Sequence, residues 1–375
     1  MNKKIILLLQ INMYNNEEIF DFEKNIDTLC FSGGGTKGLV FIGALKALID
    51  KNVVNLEKIT KYIGTSAGAL FAFLLCVGYS NEEIEEFILN FDFSKLEPNI
   101  DCEDLFCSYG LDDGKKLEYL LTRLLEYKLK KSKITFAELF EITNKELIVT
   151  ATCINNSKVK YFNYKFTPDD DVILAIRMSI SVPFYFFPIK SEGNLYIDGG
   201  ILDNYPIQFG DRNTTIGLVV LSEKYNKIKD FGNYMIKVIK LILNANLINK
   251  IKFYKDCTIG IVSSEKNFID LKLTLDSKKI LIDRGYDKIS RDYNIFAKEL
   301  ANRIIYQIID QVTLSKDADA DEDLSIKSEN FNSEESFIPE LITHQDSTES
   351  SSTSELEDIS DSSNTFDNSK NLLAH

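Results

Sequence analysis

Twice within the first 80 residues a short apolar run breaks at a cluster of small residues and opens into an apolar segment with helical spacing. Thr28 to Ser32 leads through Gly33, Gly34, Gly35, Thr36, Lys37 and Gly38 into Leu39 to Lys51. Lys58 to Ile63 leads through Gly64, Thr65, Ser66, Ala67 and Gly68 into an Ala- and Leu-rich stretch ending near Val77. A strand that turns sharply into a helix must send its chain back across a sheet face, so two in succession predict an α/β domain with a mostly parallel sheet. The later pattern agrees. Leu147 to Ile154 and Lys160 to Phe166 read as a strand pair joined by a turn at Asn155 and Asn156. A helix over Val172 to Met178, strands at Thr215 to Leu221 and Thr258 to Val262, a helical segment from Tyr234 and a last helix over Tyr286 to Val312 follow. Ser80 with Glu83, and Thr135 with Glu138, have the spacing of capping boxes and mark two further helix starts.

Charge is distributed unevenly. Residues 315–375 hold 3 basic and 16 acidic side chains with 14 serines, so they carry nearly all of the net −14 of the 375-residue chain. Such a composition buries too little apolar area to offset ordering entropy and predicts disorder. Residues 1–314 hold 40 basic and 41 acidic side chains, a balance that gives no basic surface for nucleic acid. Asp317, Asp319 and Asp321 begin a calcium-loop pattern, but Glu322 stands where the loop needs Gly and Ser328 where it needs Glu. Both histidines, His344 and His375, lie in the acidic tail. Chemistry before the tail therefore runs without imidazole, which excludes a Ser-His-Asp triad and the common His-ligated zinc sites unless the tail folds back. The six cysteines form no CxxC pair and read as reduced, mainly buried thiols of an intracellular protein.

Gly64 to Gly68 is a GxSxG between an apolar strand and an apolar helix, the context in which the serine hydroxyl projects from a tight turn above a helix N-terminus. Ser66 is thus a candidate nucleophile, with Gly64 and Gly68 permitting the turn. The run from Gly33 to Gly38 lacks Cβ atoms where backbone N–H groups would converge on one anion. It contains GxGxxG, so a dinucleotide site of an oxidoreductase is a rival reading. That reading wants an acid at the end of the second strand, and Glu57 precedes its strand instead. Next to a serine nucleophile the same amides would stabilise an oxyanion. Leu195 to Gly200 reads as a short strand ending in Asp198, with Gly199 and Gly200 forming the turn. Without histidine, Ser66 needs another base; Asp198 could serve from a desolvated site, which predicts a raised pKa.

Taken together and in this order, the glycine run 33–38, the Gly-Thr-Ser-Ala-Gly at 64–68 and the Asp-Gly-Gly at 198–200 resemble the patatin-like phospholipases. Ser179 to Pro183 and Asp203 to Pro206 are similar to that family's segments around its catalytic acid. The resemblance implies a three-layer α/β/α fold and a Ser-Asp dyad that hydrolyses acyl esters of phospholipids or related lipids without a metal or other cofactor. It implies Ser66 as nucleophile, Asp198 as base, and Gly33, Gly34 and Gly35 as oxyanion-hole donors. Lys37, at the family's Arg or Lys position, and Gly38, Gly64, Gly68, Gly199 and Gly200 support them. The chain then divides into an N-terminal extension at 1–27, a catalytic core at 28–212, the rest of the same α/β domain at 213–312 and the disordered tail at 313–375.

A lipid-ester hydrolase must reach an interface. Lys229, Lys237, Lys240, Lys250, Lys252 and Lys255, interleaved with apolar residues against one acid, Asp230, predict a basic amphipathic helix suited to an anionic membrane surface. The run from Pro183 to Pro188 is a candidate wall of an acyl groove. No stretch approaches the ~20 apolar residues of a membrane span. Lys3 and Lys4 before Ile5 to Leu9 make a poor signal peptide. The expectation is a cytoplasmic, membrane-peripheral lipid acyl hydrolase of the phospholipase A or lysophospholipase type, requiring no nucleic acid. An acyltransferase and a non-catalytic lipid-binding or partner-binding protein are the alternatives; the tail's partner and the need for a protein activator are left open.

Overall fold

The central strands alternate between two buried faces. Leu29 and Phe31 point into one apolar cluster and Cys30 into another; Tyr62 and Ile63, Val149 and Ile148, and Leu218 and Val219 split the same way. A strand buried on both faces needs helices above and below it, and this makes three layers. The computed structural model describes residues 26–322 apart from 99–101, 223–227, 229, 246 and 264–268. One compact unit runs to Asp319 and a second begins at Ala320.

The strands are β1 (Thr28–Phe31), β2 (Lys61–Thr65), β3 (Glu146–Cys153), β4 (Lys158–Phe162), β5 (Ile189–Ser191), β6 (Asn194–Asp198), β7 (Thr215–Ser222) and β8 (Thr258–Ser263). They form one sheet in the order β5-β6-β3-β2-β1-β7-β8, with β4 beside β3. β3, β2, β1, β7 and β8 are mutually parallel, while β4, β5 and β6 pair antiparallel. The helices are α1 (Val40–Asp50), α2 (Ala67–Cys76), α3 (Asn81–Asn90), α4 (Cys102–Cys107), α5 (Lys115–Leu129), α6 (Phe136–Thr143), α7 (Val172–Ile180), α8 (Gly200–Asp203), α9 (Phe231–Ala245), α10 (Leu247–Phe253) and α11 (Leu275–Glu322).

Both capping boxes form, Ser80 with Glu83 opening α3 and Thr135 with Glu138 opening α6. α11 begins eleven residues before the expected Tyr286 and continues to Glu322 rather than stopping at Val312. A glycine pair joins α11 to α1. Gly43 on α1 and Gly285 on α11 face each other so closely that a Cβ on Gly43 would collide with the Ile282 carbonyl and one on Gly285 with the Val40 carbonyl. The contact locks the two helices together upstream of the expected boundary. Of the cysteines, Cys30, Cys76, Cys153 and Cys257 are buried thiols in no disulfide, as expected, whereas Cys107 is exposed. The N-terminal run through Leu9 and the acidic stretch 323–375 lie outside the described residues. Among the described residues no helix is long and apolar enough to cross a membrane.

Candidate active site

β3 is longer than β2, and the site is built on the difference. β2 pairs with β3 from Glu146 to Thr150 and leaves it at Thr65. β4 takes the opposite edge, pairing from Val149 to Cys153. The edge that β2 vacates is taken by β6, with Asp198 opposite Ala151. The two strands therefore meet head-on along one edge of β3. The residue after the end of β2 is Ser66; the last residue of β6 is Asp198. The expected strand ending in Asp198 is present; it runs antiparallel to β3 and brings its carboxylate onto the serine from the far side.

Ser66 occupies the elbow between β2 and α2 with φ 54° and ψ −125°, a strained left-handed conformation for a residue bearing a side chain. Two glycines make the elbow possible by packing rather than by their own torsions. A Cβ on Gly64 would strike the backbone of Gly68, and one on Gly68 would strike the Phe31 carbonyl. The Ser66 N–H donates to Ser179 Oγ at 2.9 Å, fixing the turn from α7. Ser179 and its neighbours came into the sequence reading only by resemblance; no local spacing pointed to this bond.

The Ser66 hydroxyl donates to Asp198 Oδ2 at 2.6 Å. Both residues are 2% exposed. The other carboxylate oxygen, Oδ1, accepts the Gly200 N–H at 2.8 Å, so one oxygen is held by the start of α8 and the other faces the serine. Burial drives the Asp198 pKa up from 3.8 to about 7, against the two hydrogen bonds that pull it down. Gly199 is confined as well, since a Cβ there would meet the Thr150 carbonyl.

The glycine run after β1 wraps the same point. Gly33 donates its N–H to Asn204 O at 3.0 Å, which corrects its expected role: that amide is spent tying β1 to the chain after α8. Among the described residues no backbone hydrogen bond engages the amides of Gly34 or Gly35. Gly38 lies against Ala67, and Lys37 is buried on the turn Gly35–Leu39 with 2% exposure.

Ser66 opens into a cavity of about 170 Å³ shared with Gly35, Leu39, Leu70, Phe71 and Phe186. Its walls are overwhelmingly apolar. Tyr185 and Phe186 of the aromatic run line it, while Phe184 turns outward and is 47% exposed. Asp112, which no motif in the sequence marks, is the one carboxylate among the described residues of the lining. Burial raises its pKa, and the Gly114 N–H donates to its Oδ1 at 2.7 Å. The segment carrying it is stitched to the aromatic run: the N–H groups of Leu111 and Asp112 both donate to Tyr185 O. Arg177, fully buried on α7, stacks on Phe186 and donates to Asp113 O at 3.3 Å.

The basic helix is two helices, and its lysines are not equivalent. Lys250 is not a surface cation but an anchor, donating to Asp203 Oδ1 at 2.6 Å, to Gln208 Oε1 at 2.8 Å and to Tyr205 O at 3.1 Å. Lys240 is half-buried, and desolvation lowers its pKa. Among the described residues no group of three or more His, Cys, Asp or Glu is arranged to hold a metal.

Residues 29–210 match the family model of patatin-like phospholipases. A probable lipid hydrolase of Invertebrate iridescent virus 6 is 35% identical over 211 residues, which span 55% of this chain and 70% of that protein. The chain belongs to the patatin-like phospholipase family. An uncharacterized protein, R571, of Acanthamoeba polyphaga mimivirus is 29% identical over 72% of this chain and 94% of its own length. Among solved structures, VipD from Legionella pneumophila superposes with a TM-score of 0.51 at 19% identity, over 74% of this chain and 67% of that one, a likeness of fold. The matched residues include the β2–α2 elbow and β6.

Proposed function

We propose that the protein is a lipid acyl hydrolase that cleaves fatty-acyl esters through a Ser66–Asp198 dyad and an acyl-enzyme. The observation that carries the reading is the 2.6 Å hydrogen bond from Ser66 Oγ to Asp198 Oδ2, buried at the head of an apolar cavity. As Oγ attacks the ester carbonyl, its proton passes to Asp198, the Oγ–C bond forms and the carbonyl oxygen gains charge. The amides of Gly34 and Gly35, with the N-terminus of α2, would stabilise that charge. Collapse of the tetrahedral intermediate breaks the C–O bond, and Asp198 returns the proton to the departing alcohol or lysolipid. Water then attacks the acyl carbon as its proton passes to Asp198; the Oγ–C bond breaks, Asp198 returns the proton to Ser66 Oγ, and the fatty acid leaves.

The acyl chain would lie in the apolar cavity and the head group outside it. An alcohol in place of the water would give acyl transfer by the same steps. The chemistry asks for no metal, so activity should persist with a chelator present. The test is fatty-acid release from phospholipid vesicles by wild type, Ser66→Ala and Asp198→Ala. Loss of at least about 10³-fold in both variants, with unchanged melting, supports the dyad; full activity in Ser66→Ala would refute it.

A further inference from the structure

We propose that the turn Val182 to Tyr185 and the outer face of α9 and α10 form a docking surface for an anionic phospholipid bilayer. The proposal rests on the reading of the substrate as an acyl lipid and adds where the lipid surface is met.

The turn supplies the first observation. The Tyr185 N–H donates to Val182 O at 3.1 Å, closing a turn with Pro183 and Phe184 at its centre. Phe184 has φ 67°. Proline followed by a left-handed residue is the pattern of a type II turn, whose second central position is taken without strain by glycine. Here a phenylalanine holds it, strained and 47% exposed, beside Tyr185, which lines the cavity. An aromatic held outward at the rim of a lipid site is repaid by insertion among lipids.

α9 supplies the second. Its inner face, through Ile239 and Leu243, packs on Val182 and Tyr185, so turn and helix form one support. Its outer face is apolar where a surface helix would be polar: Tyr234 and Leu241, two turns apart, are 50% and 63% exposed. Ile248 and Phe253 continue this on α10 at 56% and 64%. Residues 231–255 hold five lysines and no acid, in a chain of net charge −14. Lys252 and Lys255 are exposed, and Lys237 lies on the α9 face between Tyr234 and Leu241. Apolar side chains set among cations match an anionic bilayer surface rather than a neutral one.

The test uses full-length Ser66→Ala, which binds without consuming the vesicles, in co-sedimentation with phosphatidylcholine vesicles with and without phosphatidylglycerol. Binding should favour the anionic vesicles and fall with added salt. Adding Leu241→Gln with Ile248→Gln, or Lys252→Gln with Lys255→Gln, should weaken it about tenfold or more. Phe184→Gly should melt no lower than its parent yet bind several-fold more weakly, separating docking from folding. Equal binding by all variants, equal binding to neutral vesicles, or self-association through this face without vesicle binding would each overturn the proposal. Hydrolysis of a soluble short-chain ester by the otherwise wild-type double variants reads the dyad separately, so a failure of docking and a failure of the chemistry are distinguishable.

Discussion

Asp198 is placed where a carboxylate is expensive and useful for the same reason. Burial lifts its pKa to about 7, so it is half-ionised near neutral pH and able to accept a proton from Ser66. kcat/KM should therefore fall below about pH 7 with the slope of a single group; a profile flat down to pH 5 would remove Asp198 as the base. The same shift bears on stability. The folded pKa lies above the ordinary 3.8, so the stabilisation is complete below about pH 4 and is lost as pH rises through about 7. At pH 8 the native state carries a buried charge costing at most about 4 kcal/mol, from about three pH units at 1.36 kcal/mol each. Asp198→Asn should consequently raise the melting temperature at pH 8 and leave it nearly unchanged at pH 4, while abolishing hydrolysis at both. The need for a raised pKa was legible in the sequence, because a serine nucleophile in a stretch without histidine leaves few other bases. Which carboxylate oxygen faces Ser66 was not, because the Gly200 N–H that holds the other one depends on how α8 begins.

At the scale of elements, the meeting of β2 and β6 on one edge of β3 brings Ser66 and Asp198 together. β2, its glycine turn and α2 were readable from apolar runs and small residues, as were the capping boxes of α3 and α6. The antiparallel course of β6 was not, since the direction of pairing is set by contacts far apart in sequence. For the same reason Gly33 looked like an oxyanion donor until its amide was seen bonded to Asn204. The β2–α2 elbow should tolerate no side chain at Gly68. Gly68→Ala would push a Cβ into the Phe31 carbonyl and should lower stability by about 3 kcal/mol or more, or prevent folding, as read by chemical denaturation. Ser179→Ala is subtler. It leaves the Ser66 N–H unpaired at the elbow and should lower kcat about tenfold or more with little change in KM, because it disturbs the attacking geometry rather than the cavity.

Across the whole molecule, charge and chemistry are segregated. Residues 323–375 hold 12 acidic and 2 basic side chains, so a chain ending at Glu322 has net charge −4 in place of −14. If the α9–α10 face meets anionic lipid, that shorter chain should bind anionic vesicles more tightly than the full chain at low salt, the difference shrinking at high salt; unchanged affinity would argue against charge repulsion by the tail. The acidic composition and a basic amphipathic helix suited to a membrane surface were evident in the sequence, whereas which of its apolar residues stay exposed was not, because the periodicity of a helix shows that it has an apolar side but not which part of that side packs inward. The central claim, that Asp198 activates Ser66, is tested most directly by the rate at which a fluorophosphonate labels the protein at pH 8, with the modified peptide identified by mass spectrometry. The serine oxygen would displace fluoride from phosphorus while its proton passes to Asp198. The account predicts a single adduct on the peptide carrying Ser66, formed at least about a hundredfold more slowly in Asp198→Asn. An adduct on another residue, or equal rates in the two proteins, would contradict it.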